Sequence, residues 1–457
     1  MKRKYYFIAF FIVLVFFYAS TLQVQAYGVG WCHSFSGLNN SNVKYVYPGG
    51  EQAWAQVEPK EGQYNFSGLD SMIQRARQAG KKLHFTIGVS NPDVDNNDGV
   101  LIPQWAIDKG MHVVYSEKKK LPASPIQWDP IYLDLHEKLL KAFAEKYEKP
   151  EYYDVLEAVV MQSGGNWGEM ALPAKNGAET GEKADALDPN NLFVKEMARV
   201  FLGSEERSNE IARMEGNQWV FDNYYITAVK NIIDIYARSL SHYPFAIQLG
   251  FGLTGQRRVA TEPVEYGLSK YGSHMWIRYA WWGSFDMGDS NPNAQDYWGR
   301  YQDKTVMVAE VGHPSYWCAA EGGYQKGGCY DCCQWDTKAE AIAHNQNYIN
   351  IAINSGIIAT CMQGVIIEDN VKYPIDYLDL QKRLEENISN KAFLLNITPL
   401  PTRLPTQPLT SQPSQLTYYY YVIKSNGGQV PTSVILDLNQ DGRIDFQDRN
   451  IIISSIK

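Results

Sequence analysis

The strongest constraint on the fold is a regular alternation of apolar runs and amphipathic stretches over residues 27–396. The runs are apolar at nearly every position, which is typical of strands buried on both faces of a parallel sheet. The stretches between them repeat their apolar residues every three or four positions, as helices do. The strand candidates are 27–32, 43–54, 81–89, 155–162, 245–253, 273–282, 305–312 and 357–367.

The intervening stretches carry signals for the start and end of helices. Ser67 and Asp70 form a capping box that opens one helix, and Gly80 ends it. Asp129 and Pro130 open another, with the acid as cap and proline in the first turn. The expected apolar stripes are Leu69, Met72, Ile73 and Ala76, then Leu135, Leu139, Leu140 and Phe143, and further helices are expected over 217–241 and 337–355.

Repeated strand–helix alternation predicts a parallel α/β fold. A glycine-rich dinucleotide fingerprint follows none of the strand candidates, so we favour a closed (β/α)8 TIM barrel over a doubly wound sheet. The barrel is expected to span 27–396. The formal net charge of −8 gives no basic surface for nucleic acid.

Residues 1–26 have the pattern of an export signal. Lys2, Arg3 and Lys4 precede an almost purely apolar run over 5–18, and Val24-Gln25-Ala26 fits a small-residue cleavage site. The run is shorter than the roughly 20 residues of a membrane-spanning helix, which favours cleavage over an uncleaved anchor. We therefore expect a secreted or cell-surface protein with no membrane contact beyond this segment.

The six cysteines all lie beyond the signal segment. An even number in an exported chain indicates disulfides. Four of them cluster in 318–333, where a zinc site is the alternative, but two separated Cys-x-x-Cys pairs are missing and disulfides are favoured. The remaining two lie on the first and last strands, and we expect them to be buried thiols rather than a pair. The cysteines are Cys32, Cys318, Cys329, Cys332, Cys333 and Cys361.

Beyond the barrel, residues 397–417 contain five prolines and five threonines and almost no charge. Such a segment stays extended and predicts a linker, followed by a short tail over 418–457.

The tail holds the sequence "DLNQDGRIDFQD" over 437–448. Oxygen-bearing side chains fall at positions 1, 3, 5, 9 and 12, Gly442 supplies the turn at position 6, and residue 7 offers its carbonyl, which is the pattern of a Ca²⁺ loop. The aspartate at position 12 resembles type I dockerin modules, which implies a cohesin-like partner. Only one loop is visible, and a calcium-stapled cap is the alternative. The predicted calcium ligands are Asp437, Asn439, Asp441, Arg443, Asp445 and Asp448.

Two glutamates follow apolar runs and are candidates for chemistry at the barrel mouth. Glu169 lies in the glycine-rich "SGGNWGEM" after the run 155–162, and Glu310 ends the run in "TVMVAEVG". A carboxylate at the end of a buried strand is costly unless it faces the open mouth. Glycosidic cleavage needs two carboxylates that flank the bond, one as acid and one as nucleophile or base. Glu368 and Asp369 form a further candidate pair.

Aromatic side chains stack on the flat faces of sugars. Trp54, Trp105, Trp167 and Trp282 are therefore candidate substrate contacts, together with Asp286.

The segment "WAQVEPKEGQYNFSGLDSMIQRARQAGKKLHFTIG" over 54–88 resembles clan A glycoside hydrolase barrels, and family 42 β-galactosidases in particular. In that pattern, W-x-x-x-E-P-x-x-G-x-Y-x-F introduces the second helix, and Glu58 is structural. "LIPQWAIDKG" over 101–110 is similar to that group and to β-amylases, and "GNWGEM" is similar to the Gly-x-x-Gly-Glu of β-amylases, where the glutamate is the general acid.

The resemblance implies a glycoside hydrolase with Glu169 as general acid and Glu310 as nucleophile. Two residues depart from clan A: Gly168 stands where asparagine usually precedes the acid, and Ala53 stands where an arginine often precedes the tryptophan. Retention is favoured, and inversion stays open. The alternatives are a non-catalytic carbohydrate-binding barrel and a cell-surface scaffold protein whose working part is the tail.

Overall fold

A computed structural model provides the structure of the protein. It describes residues 28–32, 35–48, 52–91, 94–96, 99–116, 118–162, 194–195, 198, 204–213, 217–249, 258–282, 301–311, 350, 353–354, 357, 359–363 and 377–390. The expected signal segment, linker and tail lie outside these residues and stay predictions, as does the helix expected over 337–355, most of which falls outside them.

The described strands follow the apolar runs of the sequence. Each of the eight predicted runs contains a strand that is shorter than the run. The strands are β1 Val29–Cys32, β2 Tyr45–Tyr47, β3 Lys82–Phe85, β4 Val113–Tyr115, β5 Pro122–Pro125, β6 Leu156–Val160, β7 Phe245–Leu249, β8 Met275–Trp282, β9 Met307–Val311 and β10 Ala359–Gln363.

Eight of these strands close into a barrel in the order β1-β10-β9-β8-β7-β6-β3-β2, with β2 paired back to β1. Every pairing in the barrel is parallel. Helices are described between β2 and β3, β3 and β6, β6 and β7, and β7 and β8, and together with the closed parallel sheet they confirm the predicted (β/α)8 TIM barrel. In a barrel of this kind, loops at the carboxyl ends of the strands form the mouth, where active sites lie.

The helices Ser67–Gln78 and Pro130–Tyr147 bury their apolar stripes in the core. Both stripes named from the sequence are buried. The helices are α1 Trp54–Val57, α2 Ser67–Gln78, α3 Gln104–Asp108, α4 Pro130–Tyr147, α5 Ser208–Arg213, α6 Asn217–Ser239, α7 Arg258–Tyr271 and α8 Tyr377–Asn390.

The ends of α2 agree only in part with the expected signals. Gly80 has a φ of +64°, the left-handed conformation that ends helices at glycine. The capping box is wrong: Ser67 is already helical, and the start has no side-chain cap. Instead, the side-chain oxygen of Asn65 accepts a 3.2 Å hydrogen bond from the Ser67 backbone N–H. At α4 the prediction is confirmed, because the Asp129 side chain accepts a 2.8 Å hydrogen bond from the Ile131 N–H.

An antiparallel hairpin of β4 and β5 lies between β3 and α4 and was not expected from the sequence. Prolines at both ends of β5 hide it from a search for apolar runs. Asp95 holds the turn between the strands, accepting hydrogen bonds from the Ser116 hydroxyl and from the N–H groups of Lys118 and Lys119. Since the hairpin follows the carboxyl end of β3, it belongs to the loops on the mouth side.

Within the described residues, no helix combines the length and the hydrophobicity that crossing a membrane requires.

Candidate active site

Glu310 lies on β9, one residue before its carboxyl end, and is 1% exposed. Its carboxylate is 3.0 Å from Nη2 of Arg278, which is on β8 and is also 1% exposed. The two residues are not opposite one another, since Arg278 is in register with Val308. Arg278 therefore reaches toward the mouth to meet a carboxylate one pleat further along the neighbouring strand.

The Arg278 side chain crosses the interior of the barrel, and its guanidinium contacts residues of other strands. It stands 3.9 Å from the centre of the Tyr47 ring on β2, and its Nη2 lies 3.1 Å from the Cys32 sulfur on β1. Strands β2 and β8 are separated in the barrel by β1, β10 and β9, so their side chains meet only across the interior. The interior near the mouth is therefore built around a buried ion pair rather than the branched apolar side chains usual in such barrels.

Arg278 keeps its charge despite its burial. Burial works against the charge, but the Glu310 carboxylate together with Tyr47 and Tyr45 raises the pKa of Arg278. A deeper layer of the barrel also carries polar groups, and burial there raises the pKa of the Tyr45 hydroxyl, which donates a 2.9 Å hydrogen bond to the Thr360 carbonyl.

His84 on β3 belongs to this deeper layer. Its ring stacks on Tyr45 at 4.1 Å and its Nε2 is 2.9 Å from Oε2 of Glu157. The β3–β6 register shifts between Leu83, opposite Leu156, and His84, opposite Ala158, so Glu157 is the extra residue of a bulge. Burial lowers the pKa of His84. His84 is a hydrogen-bonded core histidine.

Most of the sequence-predicted substrate contacts lie outside the described side chains. Glu169, Trp167 and Asp286 are outside the described residues, and of Trp282 only the backbone, at the end of β8, is described. The structure therefore places Glu310 at the mouth end of the barrel. The position of its predicted partner Glu169 is not described, and the catalytic roles of both glutamates stay predictions.

Trp54 and Trp105 follow β2 and β3 and pack edge to face at 5.9 Å. Trp54 is fully buried and its indole N–H donates to the Glu58 carboxylate, so it has no surface with which to contact a sugar. The expectation that Trp54 binds substrate is not met, because the helix α1 turns this side chain into the core. Trp105 is only partly buried and remains a candidate.

Arg278 is the residue that the sequence reasoning missed. It interrupts the apolar run "SHMWIRYAWW", as Glu310 interrupts "TVMVAEVG". A charge within a buried strand requires an opposite charge nearby. The sequence shows one opposite charge in each of these two runs. The fold then places the two strands side by side, so that the charges are in contact.

Metal binding is tested only in part. The described residues contain no group of histidine, cysteine and acidic side chains that could hold a metal ion. The predicted calcium loop over 437–448 lies outside them.

Comparison with known proteins gives one family match. Residues 30–152 match the family model described as β-galactosidase, glycoside hydrolase family 42. This range contains β2 to β5, all but the first residue of β1 and the motif around Glu58, but neither Glu169 nor Glu310. No curated protein sequence matches the chain.

Several solved barrels are similar in outline. The catalytic domain of β-amylase from Paenibacillus polymyxa is 12% identical over 80% of this chain and 97% of that chain, with a TM-score of 0.47. β-Galactosidase from the psychrophilic Marinomonas ef1 is 12% identical over 73% and 53%, with a TM-score of 0.41. Xylanase B from Clostridium stercorarium F9 is 10% identical over 74% and 85%, with a TM-score of 0.38.

Likenesses this distant carry no argument about activity, and the fold rests on the strand order of the chain itself. The family match is a separate finding, because it depends on the residues of 30–152. Together with the closed parallel barrel, this match supports the prediction that the protein is an enzyme of the glycoside hydrolase class.

Proposed function

We propose that the protein is an exported, retaining glycoside hydrolase that cleaves O-glycosidic bonds of an oligo- or polysaccharide. The observation that carries the proposal is the buried Glu310 carboxylate near the carboxyl end of β9, held 3.0 Å from Arg278. A carboxylate kept ionised at a barrel mouth suits the nucleophile of a glycosidase. The family match over residues 30–152 supports the same class of reaction.

In this proposal Glu169 is the general acid and Glu310 the nucleophile. Glu169 follows β6, and β6 and β9 are three steps apart around the eight-stranded barrel, which suits two groups that act from opposite sides of a bond. The acid protonates the leaving oxygen while Glu310 attacks the anomeric carbon, and water then releases the sugar from the enzyme. A carboxyl separation of roughly 5 Å corresponds to retention, and roughly 6.5–9.5 Å to inversion.

The proposed sugar contacts are Trp105, Trp167, Trp282 and Asp286. All four lie in or beside segments that follow barrel strands, where loops surround the mouth. Trp54 is left out because its side chain is fully buried.

The experiment is a screen of the purified protein on chromogenic glycosides and polysaccharides, followed by Glu169→Gln and Glu310→Gln on the best substrate. Both variants should lose turnover by orders of magnitude and keep the fold. Glu61→Gln is the matched control, since this glutamate is half exposed and paired with Lys109 on the surface. Near-normal rates in both active-site variants would refute the assignment, and NMR of the first anomer released distinguishes retention from inversion.

A non-catalytic carbohydrate-binding barrel is the alternative outcome. In that case the screen finds no turnover, while calorimetry detects sugar binding that Trp105→Ala weakens. A cell-surface scaffold would give neither turnover nor sugar binding.

The export signal, the linker and the calcium-binding tail are further parts of the proposal, with a cohesin-like protein as possible partner of the tail. The composition of residues 1–26 and 397–417 and the ligand spacing over 437–448 support them.

We also propose disulfides. Support comes from the even number of cysteines in a chain with an export-type segment and from the disulfide-bonded state of Cys32, where the sequence predicted a buried thiol.

A further inference from the structure

We propose that Arg278 is a positioning residue that keeps Glu310 ionised and in one orientation for its reaction. The inference rests on the proposed function and adds a residue to it. The observation is the contact between Nη2 of Arg278 and Oε2 of Glu310 at 3.0 Å, with both side chains 1% exposed.

The guanidinium is fixed by contacts from three strands. Glu310 holds it from β9, the Cys32 sulfur approaches Nη2 at 3.1 Å from β1, and the Tyr47 ring lies under its plane at 3.9 Å from β2. A guanidinium held on its edge and its face has little freedom to move, and its carboxylate partner is fixed with it. Orientation of this kind is what a nucleophile needs, because a displacement of about 1 Å costs about 100-fold in rate.

The energetics do not favour a purely structural role. A buried ion pair gains little over well-packed apolar residues, because both charges lose their hydration. Arg278 also keeps Nε and Nη1 buried without a hydrogen-bond partner in the described structure, which adds a further cost. Arg278 therefore costs stability at this position. We infer that its role is to stabilise the ionised form of Glu310.

The other groups facing the pair do not replace that charge. His84 is hydrogen-bonded to Glu157, and burial lowers the pKa of His84, so this imidazole is neutral at neutral pH. The Glu157 carboxylate, beside His84, repels a negative charge on Glu310 and so does not help to ionise it. Among the described residues, Arg278 is therefore the cation that favours ionised Glu310. The facing groups are Cys32 on β1, Tyr45 and Tyr47 on β2, His84 on β3 and Glu157 on β6.

The test compares pH–rate profiles of the full chain with those of Arg278→Gln and Arg278→Lys on the best substrate from the screen. In Arg278→Gln the acidic limb of kcat/KM should move up by about one to three pH units, as expected for a carboxylate that loses an adjacent cation. At neutral pH kcat should fall about tenfold or more while KM changes little, and Arg278→Lys should restore the limb toward its parental position. A uniform rate loss at every pH, with no movement of the limb, overturns the inference.

Circular dichroism and urea unfolding establish that each variant is folded. If neither variant folds, the parent alone decides: its acidic limb should lie below about pH 4, under the range of an ordinary glutamate, and a limb at or above about pH 5 overturns the inference.

Failure of the proposed function gives a different result. Near-normal turnover in Glu310→Gln shows that Glu310 is not the reacting group, whereas loss of turnover in Glu310→Gln with an unmoved limb in Arg278→Gln overturns the role of Arg278 alone.

Discussion

The indole of Trp54 donates a 2.8 Å hydrogen bond to the carboxylate of Glu58, four residues later in the segment that follows β2. The second carboxylate oxygen accepts from the Gly62 N–H, also at 2.8 Å, and the backbone carbonyl of Glu58 accepts from the Trp105 indole at 2.8 Å. Glu58 is 3% exposed. It therefore binds two loops of the mouth wall to each other, and it has the structural role that its motif implies.

Replacing Glu58 with glutamine should destabilise the protein by about 1–3 kcal/mol, because an amide offers this buried position one acceptor where two N–H donors now bind. Urea unfolding measures the change. Glu61→Gln is the control, since its surface ion pair with Lys109 is worth about 0–1 kcal/mol. Equal unfolding midpoints for the two variants would contradict the structural role of Glu58.

His136 makes the folded protein sensitive to acid. Its ring is fully buried on α4 beside Tyr132 and Tyr236, and neither ring nitrogen has a hydrogen-bond partner in the described structure. Burial lowers the pKa of His136 to about 4. In the unfolded chain the His136 imidazole binds a proton near pH 6.5, whereas in the folded protein it stays neutral down to about pH 4. The free energy of unfolding therefore has its full value above about pH 6.5 and falls by about 3 kcal/mol as the pH decreases toward 4.

The free energy of unfolding, measured by urea between pH 7 and pH 4, should fall less steeply in His136→Phe than in the parent. Burial also lowers the pKa of His274 to about 4. His274 therefore still contributes to the pH dependence of the free energy of unfolding in this variant. His112→Gln, at a side chain that is 52% exposed, is the control. A slope for His136→Phe equal to that of the parent would show that the buried imidazole is not the source.

Residues 437–448 are predicted to bind one Ca²⁺ through side-chain oxygens and one carbonyl. Such a loop folds around the metal it needs, so metal removal should unfold the tail and leave the barrel intact. Calorimetry of the full chain with calcium, compared with an Asp437→Ala and Asp441→Ala double variant, checks this. The absence of a binding heat at millimolar calcium in the parent would refute the site.

The cluster Cys318, Cys329, Cys332 and Cys333 is predicted to be oxidised after export. Cys32 and Cys361 are not expected to pair with each other, because β1 and β10 align Cys361 with Gly30 and Cys32 with Gln363. That register separates the two Cα atoms by about 8 Å, beyond the span of a disulfide. Mass spectrometry before and after reduction, with peptide mapping of Cys32, tests both statements; free thiols throughout, or bound zinc, would refute them.

The sequence by itself determined the class of fold. Apolar runs such as 245–253 and 305–312 are local patterns, and a run without alternation belongs to a strand covered on both faces, wherever it lies in the sheet. The helix signals that were confirmed, Gly80 and Asp129, are equally local, since each acts on backbone groups a few residues away. Glu310 was found for the same reason: a carboxylate within a buried run is costly unless it has a functional or paired environment.

Only the tertiary structure decided which side chains meet. Arg278 and Glu310 are joined because the barrel places β8 beside β9, and closure of the barrel adds Tyr47 from the far side. The inward turn of Trp54 and the bulge that brings Glu157 to His84 are likewise set by packing and strand register. Sequence periodicity states which face of an element is buried, whereas the stagger between strands fixes which buried groups are in contact, and that stagger is a property of the closed sheet as a whole.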